Sequence, residues 1–177
     1  MYRLELCKVT TKEKIDMTVA VGDPTPDVKV KMITAEGAKD VLTKDIFAEG
    51  KNVLFAVPGA FTPTCSDYHL PGFIVRADDI KAKGVKGIYC IAVNDGFVMT
   101  AWGQSRHVDL DYITLLADGN ADFAKAMGLE MDGSAFGLGI RSQRYAAVIE
   151  DGIVTHLNVE APGKFEVSSA DAVLALL

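Results

Sequence analysis

Apolar runs alternate with charged stretches along the chain, and this alternation predicts strands and helices in turn. Residues 53–57 and 87–93 are continuous runs of apolar and small residues, which are typical of strands buried on both faces of a sheet. Residues 113–117 form a shorter run of the same kind. Residues 28–33 alternate apolar and charged side chains, as a half-exposed strand does.

The stretches between these runs predict helices. Residues 62–83 form the longest, ending at Gly84, and Pro71 within it should kink the helix because proline removes an intrahelical hydrogen bond. Three shorter helices are predicted, over residues 95–102, 121–127 and 170–177. Asn94 or Asp95 is the predicted N-cap of the first, and Ser168 or Ser169 that of the last.

The C-terminal third predicts a loop, a hairpin and the last helix. Residues 128–142 are rich in glycine and are expected to be loop, and Asp151-Gly152 predicts a type I′ turn between strands 144–150 and 153–159. The order of elements predicts an α/β fold with a mixed central sheet covered by helices on both faces, as in a thioredoxin-like core.

One domain is expected for residues 17–177, because no repeat, low-complexity segment or linker divides them. Residues 1–16 are interpreted as a mobile N-terminal lead-in, and Met17 could be an alternative initiator. The first residues lack the pattern of a signal peptide, since Glu5 interrupts their short apolar part.

Composition excludes several classes of protein. Of the 177 residues, 49% are hydrophobic and 24% charged, which is close to the globular average and excludes general disorder. The net charge of −6 argues against a nucleic-acid partner, because phosphate neutralisation needs a surplus of Lys and Arg. The longest apolar stretch, residues 53–61, is about half of what a membrane span needs, so no membrane partner is expected.

The three cysteines, Cys7, Cys65 and Cys90, are too few and too widely spaced for the disulfide framework of a secreted protein. A reducing cytoplasm is therefore the expected location. In that setting a cysteine is judged by its reactivity rather than by its pairing.

Cys65 lies in the segment that says most about function, where the predicted buried strand 53–57 is followed by a helix. Thr62 is placed as the N-cap, Pro63 at the first helical position, and Cys65 in the first turn. The positive end of the helix dipole favours a thiolate there, and the Thr62 hydroxyl lies close enough to hydrogen-bond a bound oxygen. Ligands of α/β sheets bind at such strand ends.

This segment, with the motif Pro58-x-x-x-Thr62-x-x-Cys65, resembles the peroxidatic motif of peroxiredoxins, specifically the type II (fifth-class) branch. The resemblance covers about residues 20–177. It continues through residues 69–73, 81–85, 93–97, 139–144 and 158–160.

The resemblance implies a role for each matched residue. Cys65 is expected to be the peroxidatic cysteine, Thr62 to hydrogen-bond the peroxide, Pro58 to shield the site, and Arg141 to bring a fixed positive charge to the thiolate and the peroxide. Arg144 is expected to play a supporting part. A thiolate and these donors need neither metal nor flavin, so no cofactor is expected.

The resemblance also implies the partners. Peroxides are the expected substrates, Cys65 becomes a sulfenic acid, and glutathione, glutaredoxin or thioredoxin supplies electrons in a protein that is expected to be a homodimer. Cys90 is a candidate resolving cysteine. An external thiol is favoured over it, because Cys90 sits in an apolar strand and a disulfide would require the first helical turn to open.

Two other functions stay open from the sequence. One is a redox-sensing or chaperone-like protein that is switched by oxidation of Cys65. The other is a cysteine hydrolase that uses Cys65 with His69, although a polar residue near the helix kink is the favoured interpretation of His69.

Overall fold

The computed structural model of the chain describes residues 18–177 and is built around a seven-stranded mixed sheet. The expectations for residues 1–16, for Cys7 and for Met17 lie outside the described residues. The seven strands of the sheet are β1 Lys29–Thr34, β2 Gly37–Leu42, β3 Lys51–Val57, β4 Val85–Ala92, β5 Thr114–Ala117, β8 Tyr145–Glu150 and β9 Ile153–Val159. Two short strands, β6 Glu130–Asp132 and β7 Ile140–Ser142, pair with each other separately.

The order of strands across the sheet is β2-β1-β5-β4-β3-β8-β9. The three central strands, β5, β4 and β3, run parallel, and the outer strands are antiparallel to their neighbours. From Asn52 to Val57 every residue of β3 is fully buried, as its continuous apolar sequence predicts. The carboxyl ends of β3 and β4 therefore lie side by side at one edge of the sheet.

Helices cover both faces of the sheet, which confirms the predicted fold class. They are α1 Thr43–Ile46, α2 Leu70–Ala82, α3 Gly96–Ser105, α4 Asp122–Ala126 and α5 Ala170–Leu174. Helices α2, α3 and α5 pack on one face and contribute Phe73, Trp102 and Val173 to its core. Helices α1 and α4 lie against the other face. No helix within residues 18–177 is both long enough and apolar enough to cross a membrane.

Two predicted helix N-caps and one predicted turn are found where the sequence placed them. The Asp95 carboxylate accepts a hydrogen bond from Val98 N and caps α3, and the Ser169 hydroxyl does the same for α5 through Ala172 N. Asp151 and Gly152 both have positive φ, at 49° and 81°, as a type I′ turn requires.

Three strands and one helix were not predicted. Strand β2 and helix α1 fall in a polar, exposed stretch, and β2 is an edge strand that forms by pairing with β1 along its whole length. The expected loop 128–142 contains the β6–β7 pair, whose register joins Met131 to Arg141. These short elements are stabilised by tertiary contacts and carry little local signal.

The predicted kink at Pro71 takes the form of a π-helical turn, Cys65–His69, directly before α2. Leu70 N donates to the carbonyl of Cys65, which lies five residues earlier. Pro71 has no N–H for the carbonyl four residues before it, and its ring crowds that carbonyl, so a wider turn relieves the conflict. The change of helix type starts at Cys65.

Candidate active site

Cys65 opens the π-helical turn just beyond the carboxyl end of β3, and its side chain is fully buried. It packs in the core cluster that also holds Phe55, Leu70 and Cys90. The neighbouring Ser66 is also buried, and its hydroxyl accepts a hydrogen bond of 2.9 Å from Trp102 Nε1 on α3. The turn that carries the sulfur is thus fixed against both the sheet and a helix.

The loop from Pro58 to Thr62 leads into this turn. Thr62 holds the cap position through its carbonyl, which accepts from Ser66 N at 3.0 Å, but its hydroxyl donates to the carbonyl of Gly59 at 2.7 Å. The expected side-chain cap is therefore replaced by a bond that closes the loop on itself. The hydroxyl lone pairs stay free to accept a hydrogen bond. Pro58 follows β3 directly at the start of this loop and is half-buried.

Arg141 lies against this same loop. Its Nη1 comes so close to Gly59 that a Cβ at that position would lie 2.8 Å from it, so a larger residue there would displace the guanidinium. The guanidinium donates to the carbonyl of Leu138 at 2.8 Å and to that of Val93 at 3.1 Å. Arg141 therefore ties the loop after β4 to the segment before β7.

The guanidinium bonded to the sulfur belongs to Arg144, which corrects the arginine prediction. Arg144 Nη2 donates to Cys65 Sγ at 3.3 Å, whereas the hydrogen bonds of Arg141 go to backbone carbonyls. The reason lies in the sheet register. Arg144 directly precedes β8, whose Tyr145 pairs with Ala56 near the end of β3, and this pairing brings residue 144 to the strand end that carries Cys65.

The charge of Arg144 is directed at the sulfur. None of the ion pairs found among residues 18–177 includes Arg144. A half-buried guanidinium without a carboxylate partner favours negative charge beside it, and the atom that accepts its Nη2 hydrogen bond is Cys65 Sγ. Sequence reasoning could have found Arg144 from its position just before a strand that pairs with β3.

His69 holds the other edge of the same guanidinium. Its Nδ1 lies 3.0 Å from Arg144 Nη1, and its Nε2 lies 3.0 Å from the carbonyl of Ser168. A guanidinium only donates and a carbonyl only accepts, so the ring must be neutral, with its proton on Nε2. Burial, together with the positive charge of Arg144, lowers the pKa of His69 to about 3. The ring is fully buried.

This geometry rules out the hydrolase interpretation of His69. A general base for Cys65 would need a ring nitrogen free to take the thiol proton. Here Nδ1 is occupied by Arg144, and Nε2 donates to a backbone carbonyl. His69 acts on the site through Arg144.

Aromatic rings enclose His69 and Arg144. Phe55 and Phe165 lie 5.0 and 4.9 Å from the His69 ring, between centroids, and Arg144 Cζ is 5.7 Å from the centroid of Phe165. Phe73 stacks on Phe55 at 3.9 Å. These apolar walls lower the local polarity, which strengthens the electrostatic interactions between the guanidinium and the sulfur.

Cys90 lies in the middle of β4, where it pairs with Phe55 on one side and Leu115 on the other. The side chain is fully buried, and the thiol is free. Burial, with a contribution from the nearby Cys65, raises the pKa of the Cys90 thiol well above its ordinary value. Cys90 is therefore a protonated thiol in the strand next to the one that leads to Cys65.

Within residues 18–177, no group of three or more His, Cys, Asp or Glu side chains is placed to hold a metal ion. The groups described around the Cys65 turn are the Arg144 guanidinium, the Thr62 hydroxyl and aromatic rings. Together they can stabilise a thiolate and a second developing negative charge beside it.

Comparison with known proteins identifies the family. The Redoxin family model matches residues 20–174. Peroxiredoxin-2B of Arabidopsis thaliana is 45% identical over 160 residues, which cover 90% of this chain and 98% of that protein. Peroxiredoxin-2E-2, chloroplastic, of Oryza sativa subsp. japonica is 49% identical over 164 residues, covering 90% and 73% of the two chains.

Solved structures agree with these sequence matches. Reduced Prx3 from Vibrio vulnificus in complex with H2O2 superposes with a TM-score of 0.85 at 53% identity, covering 90% of this chain and 99% of that one. Peroxiredoxin 5 from Alvinella pompejana gives a TM-score of 0.77 at 37% identity, with coverages of 89% and 96%. The chain therefore belongs to the Redoxin family and, within it, to the type II peroxiredoxins.

Proposed function

We propose that this peroxiredoxin reduces hydrogen peroxide and alkyl hydroperoxides with the Cys65 thiolate as nucleophile. The observation that carries the proposal is the 3.3 Å hydrogen bond from Arg144 Nη2 to a fully buried Cys65 Sγ at the start of a helical turn. The related Prx3 of Vibrio vulnificus, 53% identical, has been crystallised with H2O2, which supports the choice of substrate.

The first step transfers two electrons from sulfur to the peroxide. The thiolate attacks one peroxide oxygen, an S–O bond forms, and the O–O bond breaks. The other oxygen leaves with the electron pair and takes up a proton to become water or an alcohol. Cys65 becomes a sulfenic acid. Negative charge moves from sulfur to the leaving oxygen, so fixed donors around the path accelerate the step.

The surrounding residues divide this work. Arg144 stabilises the thiolate and, as charge moves, the peroxide that the sulfur attacks. The Thr62 hydroxyl accepts a hydrogen bond from the O–H of the incoming peroxide while it continues to donate its own hydrogen bond to the carbonyl of Gly59. Arg141 orients the loop through its packing on Gly59 and its hydrogen bond to Val93, and Pro58 shields the sulfur from water.

An external thiol is the proposed reductant. A thiolate of glutathione, glutaredoxin or thioredoxin attacks the sulfenic sulfur, releases water and forms a mixed disulfide, which a second thiol reduces. The buried, protonated state of Cys90 supports an external donor over internal resolution. A reducing compartment, which we propose to be the cytoplasm, keeps such donors available.

A homodimer is also proposed. Three loops meet beside Cys65, since Ala60 N donates to Asn94 Oδ1 at 2.8 Å and Arg141 reaches the carbonyl of Val93. A large aromatic side chain is exposed in each loop or in the helical turn next to it. These side chains are Phe61, Phe97 and Phe136. Exposed aromatic residues around a site favour a partner surface, and a second copy of the chain is the proposed partner.

Replacing Cys65 with Ser should abolish peroxide consumption in the presence of excess dithiothreitol, by at least about a thousandfold, because the nucleophile is lost. Circular dichroism should show an unchanged fold. Activity within a few-fold of the wild type would eliminate the mechanism. A single stoichiometric oxidation of the wild type, without further consumption, would favour the redox-switch or chaperone-like alternative.

Arg144→Lys should lower the second-order rate constant with peroxide by roughly ten- to a hundredfold, because lysine cannot donate to Sγ and His69 from one planar group. Arg141→Lys is the matched control and should be less damaging. The pH midpoint of Cys65 alkylation should rise further in Arg144→Ala than in Arg141→Ala. A larger rise of this midpoint in Arg141→Ala would instead assign the interaction with the Cys65 sulfur to Arg141.

Cys90→Ser should retain most turnover when glutathione or glutaredoxin supplies electrons, since the thiol is buried and protonated. Peptide mapping of peroxide-treated wild type, without reduction, should find a sulfenic acid or a glutathione adduct at Cys65. A rapid, stoichiometric Cys65–Cys90 crosslink, with loss of turnover in the variant, would show an intramolecular two-cysteine enzyme instead.

Light scattering on the wild type should give the mass of a dimer, and Phe97→Ser should weaken the association, because Phe97 is 88% exposed and fills no part of the core. Val75→Ser, at a valine on α2 that is 77% exposed, is the control and should leave the mass unchanged. A monomeric wild type would refute the homodimer.

A further inference from the structure

A single carboxylate oxygen organises the segment that follows β9. Glu160 Oε1 accepts four hydrogen bonds, from the backbone N of Glu166 at 2.7 Å, from Val167 N at 2.8 Å, from Ser168 N at 2.8 Å and from the Ser168 hydroxyl at 2.8 Å. Successive amides that point at one anion form a nest, and such charge-assisted bonds are the strong ones. The segment 166–168 is therefore folded around Glu160.

Glu160 is ionised in this nest. Burial by itself would raise the pKa of the carboxyl group, but the hydrogen bonds from Ser168, Glu166 and Val167 outweigh it, so the pKa is lowered. Its backbone is fixed as well, because Glu160 N donates to the carbonyl of Arg144 at 2.9 Å. The residue that folds the segment is thus joined to the residue that contacts the sulfur.

The segment delivers its own contacts to the active site. The carbonyl of Ser168 accepts a hydrogen bond from Nε2 of His69, and Phe165 packs on both His69 and Arg144. His69 in turn accepts from Arg144 through Nδ1, and Arg144 donates to Cys65 Sγ. A continuous chain of hydrogen bonds therefore runs from the Glu160 carboxylate to the sulfur.

The His69 tautomer is what this chain controls. With the Ser168 carbonyl in place, the proton stays on Nε2 and Nδ1 presents a lone pair to Arg144. If the carbonyl moved away, a proton on Nδ1 would set two donors against each other, N–H of the ring and N–H of the guanidinium. The guanidinium would then turn away from its position at the sulfur.

We propose that Glu160 is a positioning residue for the reaction at Cys65, which acts through the Ser168 carbonyl and the His69 ring on the Arg144 guanidinium. The inference rests on the proposed role of Cys65 and Arg144 in peroxide reduction. A merely structural role is the alternative, because the same nest also leads into Ser169, the N-cap of α5.

The variant that separates the two is Glu160→Gln, which keeps the shape of the side chain and removes its charge. Glu166→Gln is the matched control. It makes the same substitution in the same segment, but the side chain of Glu166 contacts Lys164 at 3.8 Å at the surface. Two readouts need no turnover: the ¹⁵N NMR signals of His69, one of three histidines in the chain, and the pH midpoint of Cys65 alkylation followed by peptide mass spectrometry.

In the wild type, His69 should show one protonated nitrogen, Nε2, over the whole range from pH 5 to 9, consistent with its pKa of about 3. In Glu160→Gln the two ring nitrogens should show tautomer exchange, the alkylation midpoint should move to higher pH, and the peroxide rate constant should fall about tenfold. Glu166→Gln should match the wild type within about twofold.

A Glu160→Gln protein that loses thermal stability but keeps the His69 signals and the alkylation midpoint of the wild type would overturn the proposal in favour of the structural role. Should that variant fail to fold, Ser168→Ala takes its place, since it removes one donor from the nest and leaves the backbone intact. Unchanged readouts there would also refute the proposal. Because neither readout measures peroxide, failure of the proposed function would be seen separately, in the Cys65→Ser comparison.

Discussion

The hydrogen bond from Arg144 to the Cys65 sulfur depends on the pairing of β8 with β3, two neighbouring strands inside the seven-stranded sheet. The Cys65 thiol comes from the strand end of β3, and the guanidinium from the start of β8, 79 residues later in the chain. The register that sets Tyr145 opposite Ala56 makes the two meet. Because β3 is buried on both faces, a slip of one residue would exchange the side chains that pack into the two cores on either side of the sheet. The sheet therefore fixes the distance between charge and sulfur.

A neutral histidine makes this arrangement electrostatically workable. A carboxylate in the place of His69 would pair with Arg144 and take its charge away from the sulfur. A protonated imidazole would repel the guanidinium. The neutral ring, held with its proton on Nε2 by the Ser168 carbonyl, orients Arg144 by hydrogen bonding and leaves its charge to Cys65. The depressed pKa of His69 is thus a consequence of the burial and of the positive charge that the site requires.

The sequence predicted the parts of the molecule whose signals are local. Continuous apolar runs marked β3 and β4, Asp95 and Ser169 marked helix starts, and the motif around Cys65 marked the reactive turn. Arg141 was favoured over Arg144 on its match to the peroxiredoxin pattern, whereas the strand register that separates the two arginines is a long-range property. The edge strand β2 was missed for a related reason, since it owes its order to its pairing with β1. The π-helical form of the turn follows from Pro71, but only once the helix is known to begin before Cys65.

Arg144 is held at both of its ends by the same residue. Its carbonyl accepts a hydrogen bond from the backbone N–H of Glu160. Its guanidinium is linked to the Glu160 carboxylate by hydrogen bonds through His69 and Ser168. A long, flexible side chain loses considerable conformational entropy when it is fixed, and several independent contacts are needed to offset that loss. The hairpin fixes the backbone, and the segment after it fixes the tip. A donor whose position is set in advance needs no rearrangement when negative charge moves from sulfur to oxygen, and this is the condition under which such a donor accelerates the reaction most.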